Sequence, residues 1–136
     1  MHIHTEIKGH SPGLSQQTVD LVRRHGLTAQ VTITSFQRTP LEETRAYAPE
    51  LPTGWLVPEI TDAIVAHARA MRLTQLCPRA NVLTPELVAR LHAEGFVVRA
   101  WGVADEELMR RAVDAGVDGM TVNFPDKLFE YLQRAS

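Results

Sequence analysis

In the opening run HIHTEIK, Glu6 and Lys8 stand two residues apart. Along a strand, that spacing puts both on one face, a carboxylate beside an ammonium. The pair suits a metal–phosphate unit, with the carboxylate on a divalent cation and the ammonium on a phosphoryl oxygen. It equally suits a plain ion pair at the end of a strand. Phosphodiester hydrolysis also asks for an acid/base pair at the attacking and leaving oxygens. Hard cations prefer several oxygen ligands, and Glu6 supplies one. His2 and His4 share its face, where solvated strand residues are a plainer reading than ligands. His10 follows in the loop after Lys8, where loop polarity accounts for it as well as a ligand would. His25, His67 and His92 fall in helical stretches and read as surface residues.

A second set of residues lies further on. Trp101 stands near a strand end with Arg99 and Val97 on its face. Core packing is its plain reading. A buried Arg99 would need an acidic partner, Glu6 or another. Cys77, before Pro78, reads as a small buried hydrophobe. Phe36 reads as packing. Asn123, before Phe124-Pro125, fits a helix cap better than a ligand contact.

These residues hang on an alternating series of elements. Residues 2–8 alternate as a strand. Helix 14–25, strand 30–36 and a helix from Thr39 to about Ala48 follow, the last with Thr39 as N-cap, Pro40 at the first helical position and Glu42 closing a capping box. Then come strand 53–57, helix 59–71 with Ile60, Ile64 and Met71 on one side, and strand 73–77. Thr84-Pro85-Glu86 opens a helix ending at Gly95. Val97–Val103 is a strand, Asp105 the N-cap of a helix carrying Leu108, Ala112 and Ala115 on one face, and Gly116 its C-cap. Asp118–Val122 is a last strand, and Pro125 begins a last helix through Leu128 and Leu132. Six strands, each followed by a helix, predict an α/β fold with a parallel sheet.

The 136 residues suffice for one domain with a core, read as residues 1–136. A net charge of −2 supplies no electrostatic drive toward nucleic acid or an anionic membrane. One cysteine excludes an intrachain disulfide and a cysteine zinc site, and fits a reducing, cytoplasmic compartment. No apolar run is long enough to span a membrane, and MHIHTEIKGH lacks the order of a signal peptide.

Four segments carry a resemblance. Trp101-Gly102-Val103, then Gly116-Val117-Asp118-Gly119-Met120-Thr121-Val122-Asn123-Phe124-Pro125, resemble the closing two strands of glycerophosphodiester phosphodiesterases. Glu6-Ile7-Lys8-Gly9 is similar to the segment on that family's third barrel strand. Ser35-Phe36 matches the end of its fourth strand, and the run from Pro49 to Leu56 the approach to its fifth. Gly102 and Ala104 depart from the commoner residues of the closing motif.

The resemblance implies a partial TIM (β/α)8-type barrel with about six βα units, the third to the eighth. It implies hydrolysis of glycerophosphodiesters to glycerol 3-phosphate and an alcohol, part of lipid metabolism. It makes Glu6 a ligand of a divalent metal (Mg or Ca). Lys8, Trp101 and Phe36 become substrate-binding residues for a small phosphodiester. The family's His-Arg-Gly and Glu-x-Asp segments and its following His are absent, so no catalytic residue is assigned. Two alternatives stand beside this reading: an inactive truncated scaffold, and another phosphate-binding barrel. A barrel short of two strands leaves edges and apolar surface open, which predicts a homodimer.

Overall fold

A computed structural model describes residues 2–8, 12–122 and 124–135. Six strands alternate with six α-helices: β1 (Ile3–Glu6), α1 (Leu14–Arg24), β2 (Val31–Ser35), α2 (Arg38–Tyr47), β3 (Thr53–Val57), α3 (Asp62–Ala70), β4 (Gln75–Pro78), α4 (Pro85–Ala93), β5 (Val97–Ala100), α5 (Glu106–Ala115), β6 (Gly119–Met120) and α6 (Pro125–Ala135). A 3₁₀ turn, Ala80–Val82, precedes α4. The expected βα alternation is therefore present. The chain packs as two compact units, one from the residues up to Leu56 with Thr61–Gln75, the other from Val57–Ile60 with Leu76 onward.

In the first unit β1 pairs with β2 and β2 with β3, all parallel. Ile3 lies opposite Val31, and Thr5 opposite Ile33. Ile7, Val31 and Ile33 pack with Val19 and Val22 of α1 and with Ala48 and Leu51. Each such side chain taken fully out of water is worth about 1.5–3 kcal/mol. The other face carries His4 opposite Thr32 and Glu6 opposite Thr34. Thr32 and Thr34 are buried, while His4 and Glu6 are half-buried. His2 is exposed, as expected of a solvated face, while His4 and Glu6 depart from that expectation. A parallel sheet has both faces covered, so polar residues on one face do not mark it as wet.

In the second unit β5 pairs with β6 in parallel, Arg99 opposite Gly119. Its core includes Leu76, Val88, Leu91, Val98 and Met109. Thr84 and Asp105 cap α4 and α5 as expected, accepting from the N–H of Leu87 at 3.1 Å and of Leu108 at 2.8 Å. Gly116 ends α5 at φ +89°, the left-handed position that favours glycine.

Several boundaries move. Thr39 is not a cap: α2 begins at Arg38, and Gln37 flanks it. The chain turns early because Ser35 Oγ accepts from the Gln37 N–H at 3.1 Å. Pro40 still lies in the first turn, where its missing N–H costs nothing. Helix α3 starts at Asp62 with Thr61 as cap, and its buried residues are Val65 and Ala68 rather than the Ile60–Ile64–Met71 side. Strand β5 ends at Ala100, because Gly102 adopts φ +69° and breaks the extended run. No helix among the described residues is long and apolar enough to cross a membrane.

Candidate functional site

The carboxyl end of a parallel strand is where α/β folds place functional groups, since the loops that follow are free to vary. In the first unit Glu6 ends β1, and Lys8 lies just beyond it. Ile7 between them is buried, and its N–H donates to the Thr34 carbonyl at 2.8 Å. Alternation across this anchored residue sends Glu6 and Lys8 to the opposite side from Ile7. Glu6 is half-buried and Lys8 exposed.

Two further hydrogen bonds hold the neighbouring end of β2. Ser35 Oγ donates to the Ile7 carbonyl at 3.0 Å. Trp55 of β3 donates from Nε1 to the Phe36 carbonyl at 3.1 Å. Glu6, Ile7, Lys8, Ser35, Phe36 and Gln37 together line a cleft of about 230 Å³. Phe36 is 45% exposed, so it is not a core residue as its pattern suggested.

Glu6 Oε2 is shut off from solvent and has no hydrogen-bond partner among the described residues. Glu6 and Lys8 form no ion pair among the described residues. A carboxylate oxygen left so costs free energy, about 1–3 kcal/mol or more for a charged group. The position therefore fits a cation or a donor brought by a ligand. It does not amount to a metal site by itself. No group of three His, Cys, Asp or Glu among the described residues could hold an ion. The described residues supply one ligand, Glu6.

His2 Nε2 lies 2.6 Å from Thr32 Oγ1, and the His2 and His4 rings meet edge to face at 5.0 Å. His25, His67 and His92 are exposed, as expected. His67 contacts Arg38, and His92 pairs with Asp118 at 2.8 Å. His10, Gly9 and Asn123 lie outside the described residues.

In the second unit Trp101 is half-buried. Its Nε1 donates to the Val57 carbonyl at 3.0 Å, and its backbone N–H to the Pro78 carbonyl at 3.3 Å. The Arg79 guanidinium carbon sits 5.6 Å from the centre of its ring. Arg99 is half-buried, and burial pushes its pKa down. Its stem covers Gly119, with Cγ 3.6 Å from where a Cβ would stand. Arg99 has no acidic partner among the described residues, contrary to expectation. Cys77 is buried as expected, and burial pushes its thiol up to about 12, so it is inert as a nucleophile.

Sequence reasoning missed the Ser35 hydroxyl and Arg79. Ser35 had a signal, a hydroxyl residue closing an apolar strand. Arg79 had none, because its partner ring belongs to another strand.

Residues 3–127 match the model of the glycerophosphoryl diester phosphodiesterase family. A glycerophosphodiester phosphodiesterase of Caldanaerobacter subterraneus subsp. tengcongensis is 27% identical over 123 residues, 90% of this chain and 51% of that protein. One from Bacillus subtilis is 26% identical over 136 residues, 92% of this chain and 46% of that protein. A Silicibacter pomeroyi protein of the glycerophosphoryl diester phosphodiesterase type superposes with a TM-score of 0.90 at 27% identity, covering 98% of this chain and 50% of that one. The chain thus spans about half the length of the curated relatives it matches. Its parallel βα repeats are a partial TIM-barrel-type fold, shared with the Silicibacter pomeroyi structure.

Proposed function

Because this chain belongs to the glycerophosphoryl diester phosphodiesterase family, we propose that it takes part in hydrolysing glycerophosphodiesters to glycerol 3-phosphate and an alcohol. The observation that carries this reading is the Glu6 carboxylate, with one oxygen enclosed and unpartnered among the described residues, at a strand end beside Lys8. In the proposal Glu6 is one ligand of a divalent ion, Mg or Ca, and Lys8 neutralises a phosphoryl oxygen. The ion, when bound, supplies Lewis-acid polarisation of the phosphoryl group. Phe36 and Trp101 are substrate contacts within their own units. The remaining ligands and the acid/base pair come from outside the described residues, either from sequence beyond this chain or from a second copy in a homodimer.

A second reading has its own support. The described residues hold no group of three metal-ligating side chains. That favours a scaffold which binds without turning over.

The test is hydrolysis of a glycerophosphodiester by the purified chain, with and without Mg²⁺ or Ca²⁺, beside Glu6→Ala. Metal-dependent turnover lost in the variant supports the first reading. No turnover by a folded chain supports the second. Sedimentation as a compact monomer would remove the homodimer from either.

A further inference from the structure

Arg79 and Trp101 follow the carboxyl ends of β4 and β5, and the two residues form a bridge between those ends. The Arg79 N–H donates to the Val57 carbonyl at 3.1 Å, and the Ala80 N–H to the Trp101 carbonyl at 2.8 Å. The backbone under both side chains is therefore fixed on three sides. The Trp101 ring is fixed in turn by its bond to Val57.

The Arg79 stem then crosses Gly102. A Cβ at Gly102 would meet Arg79 Cγ at 3.1 Å and Nε at 3.4 Å, and the residue stands at φ +69°. Glycine is needed there on both counts. Its absence of a side chain lets the guanidinium lie over Trp101. At 5.6 Å from the ring centre the guanidinium is within cation–π range, a contact that uses none of the N–H donors on its edge.

That edge has no partner among the described residues. Arg79 is exposed, and its guanidinium donates to no acid or carbonyl among the described residues. Arg23 and Arg110, also stacked on aromatic rings, each pair with a glutamate. Arg79 is stacked without that counter-charge. A planar fork, held in place and unneutralised, matches the paired oxygens of a tetrahedral oxyanion.

We propose that Arg79, held by Trp101 and Gly102, is an oxyanion-binding site for a phosphate or phosphomonoester group. This goes beyond the reading of Glu6 and Lys8, with which it shares Trp101, and the Lys8→Met variant below separates the two.

The test follows the Arg79 Nε–H and Trp101 Nε1–H signals by NMR in the full chain. Inorganic phosphate and sn-glycerol 3-phosphate are titrated in separate arms, with chloride at matched ionic strength as control. The expected result is a saturable shift of both signals by the phosphates alone. Arg79→Gln is expected to weaken the affinity read at Trp101 by about tenfold or more, the scale of a lost charge-assisted hydrogen bond. Gly102→Ala should do the same by displacing the stem, and Arg79→Gln keeps the test open if Gly102→Ala does not fold. Lys8→Met should leave the shifts in place. Shifts that chloride reproduces, phosphate binding unchanged in Arg79→Gln, or shifts lost in Lys8→Met would each overturn the proposal.

Discussion

The Ser35 hydroxyl donates to the Ile7 carbonyl at 3.0 Å while accepting from the Gln37 N–H at 3.1 Å. One buried side chain thus ties the end of β1, where Glu6 and Lys8 stand, to the turn that starts α2. Ser35→Ala leaves both backbone groups without this partner. It is expected to cost about 1–3 kcal/mol. Urea unfolding measures the loss, and faster hydrogen exchange at Gln37 locates it.

Trp55 holds the Phe36 backbone through one indole hydrogen bond. Trp55→Phe keeps an aromatic ring and removes the donor. The expected cost is about 1 kcal/mol, with a share for lost packing. Thermal unfolding checks the stability. Weaker binding of glycerol 3-phosphate would show that the Phe36 side of the cleft had loosened.

Asp118 Oδ2 accepts from the Val98 N–H at 2.8 Å and meets His92 Nε2 at 2.8 Å. Burial alone would raise its carboxyl, but the Val98 and His92 contacts outweigh burial and hold it below the ordinary value of 3.8. A carboxyl depressed by folding contributes stability above its unfolded pKa and loses it as pH falls through the folded value. Asp118→Asn is therefore expected to lower stability at neutral pH. The gap to the parent chain should narrow below about pH 4. Denaturant titrations across the acid range check this.

Asp105 caps α5, the helix that leads into β6. Asp105→Ala removes the acceptor for the Leu108 N–H and is expected to cost about 1 kcal/mol. Asp105→Ser should restore most of it, a rescue readable by thermal unfolding.

Much of the fold was legible in the sequence because its signals are local. The alternation of strand and helix, the bounds of β3, the caps Thr84 and Asp105 and the glycine after α5 all follow from neighbours within a few residues. Thr39 failed as a cap because the turn was decided by Ser35, a residue upstream. The polar face of β1 was misread because alternation separates two faces without saying which one water reaches. The site was legible only in part. Glu6 and Lys8 stand out by type and spacing, but their lack of an ion pair depends on side-chain positions. Arg79 lay hidden because Trp101, far along the chain, defines it.

The central claim is that Glu6 and Lys8 bind a phosphoryl group together with a divalent ion. The most direct measurement is calorimetric affinity for sn-glycerol 3-phosphate, with and without Mg²⁺, in the parent chain and in Glu6→Gln. Mg²⁺ is expected to tighten binding in the parent chain by about tenfold or more, a coupling of ~1.4 kcal/mol. Glu6→Gln should abolish that tightening. Affinity indifferent to Mg²⁺, or a tightening that survives Glu6→Gln, would contradict it.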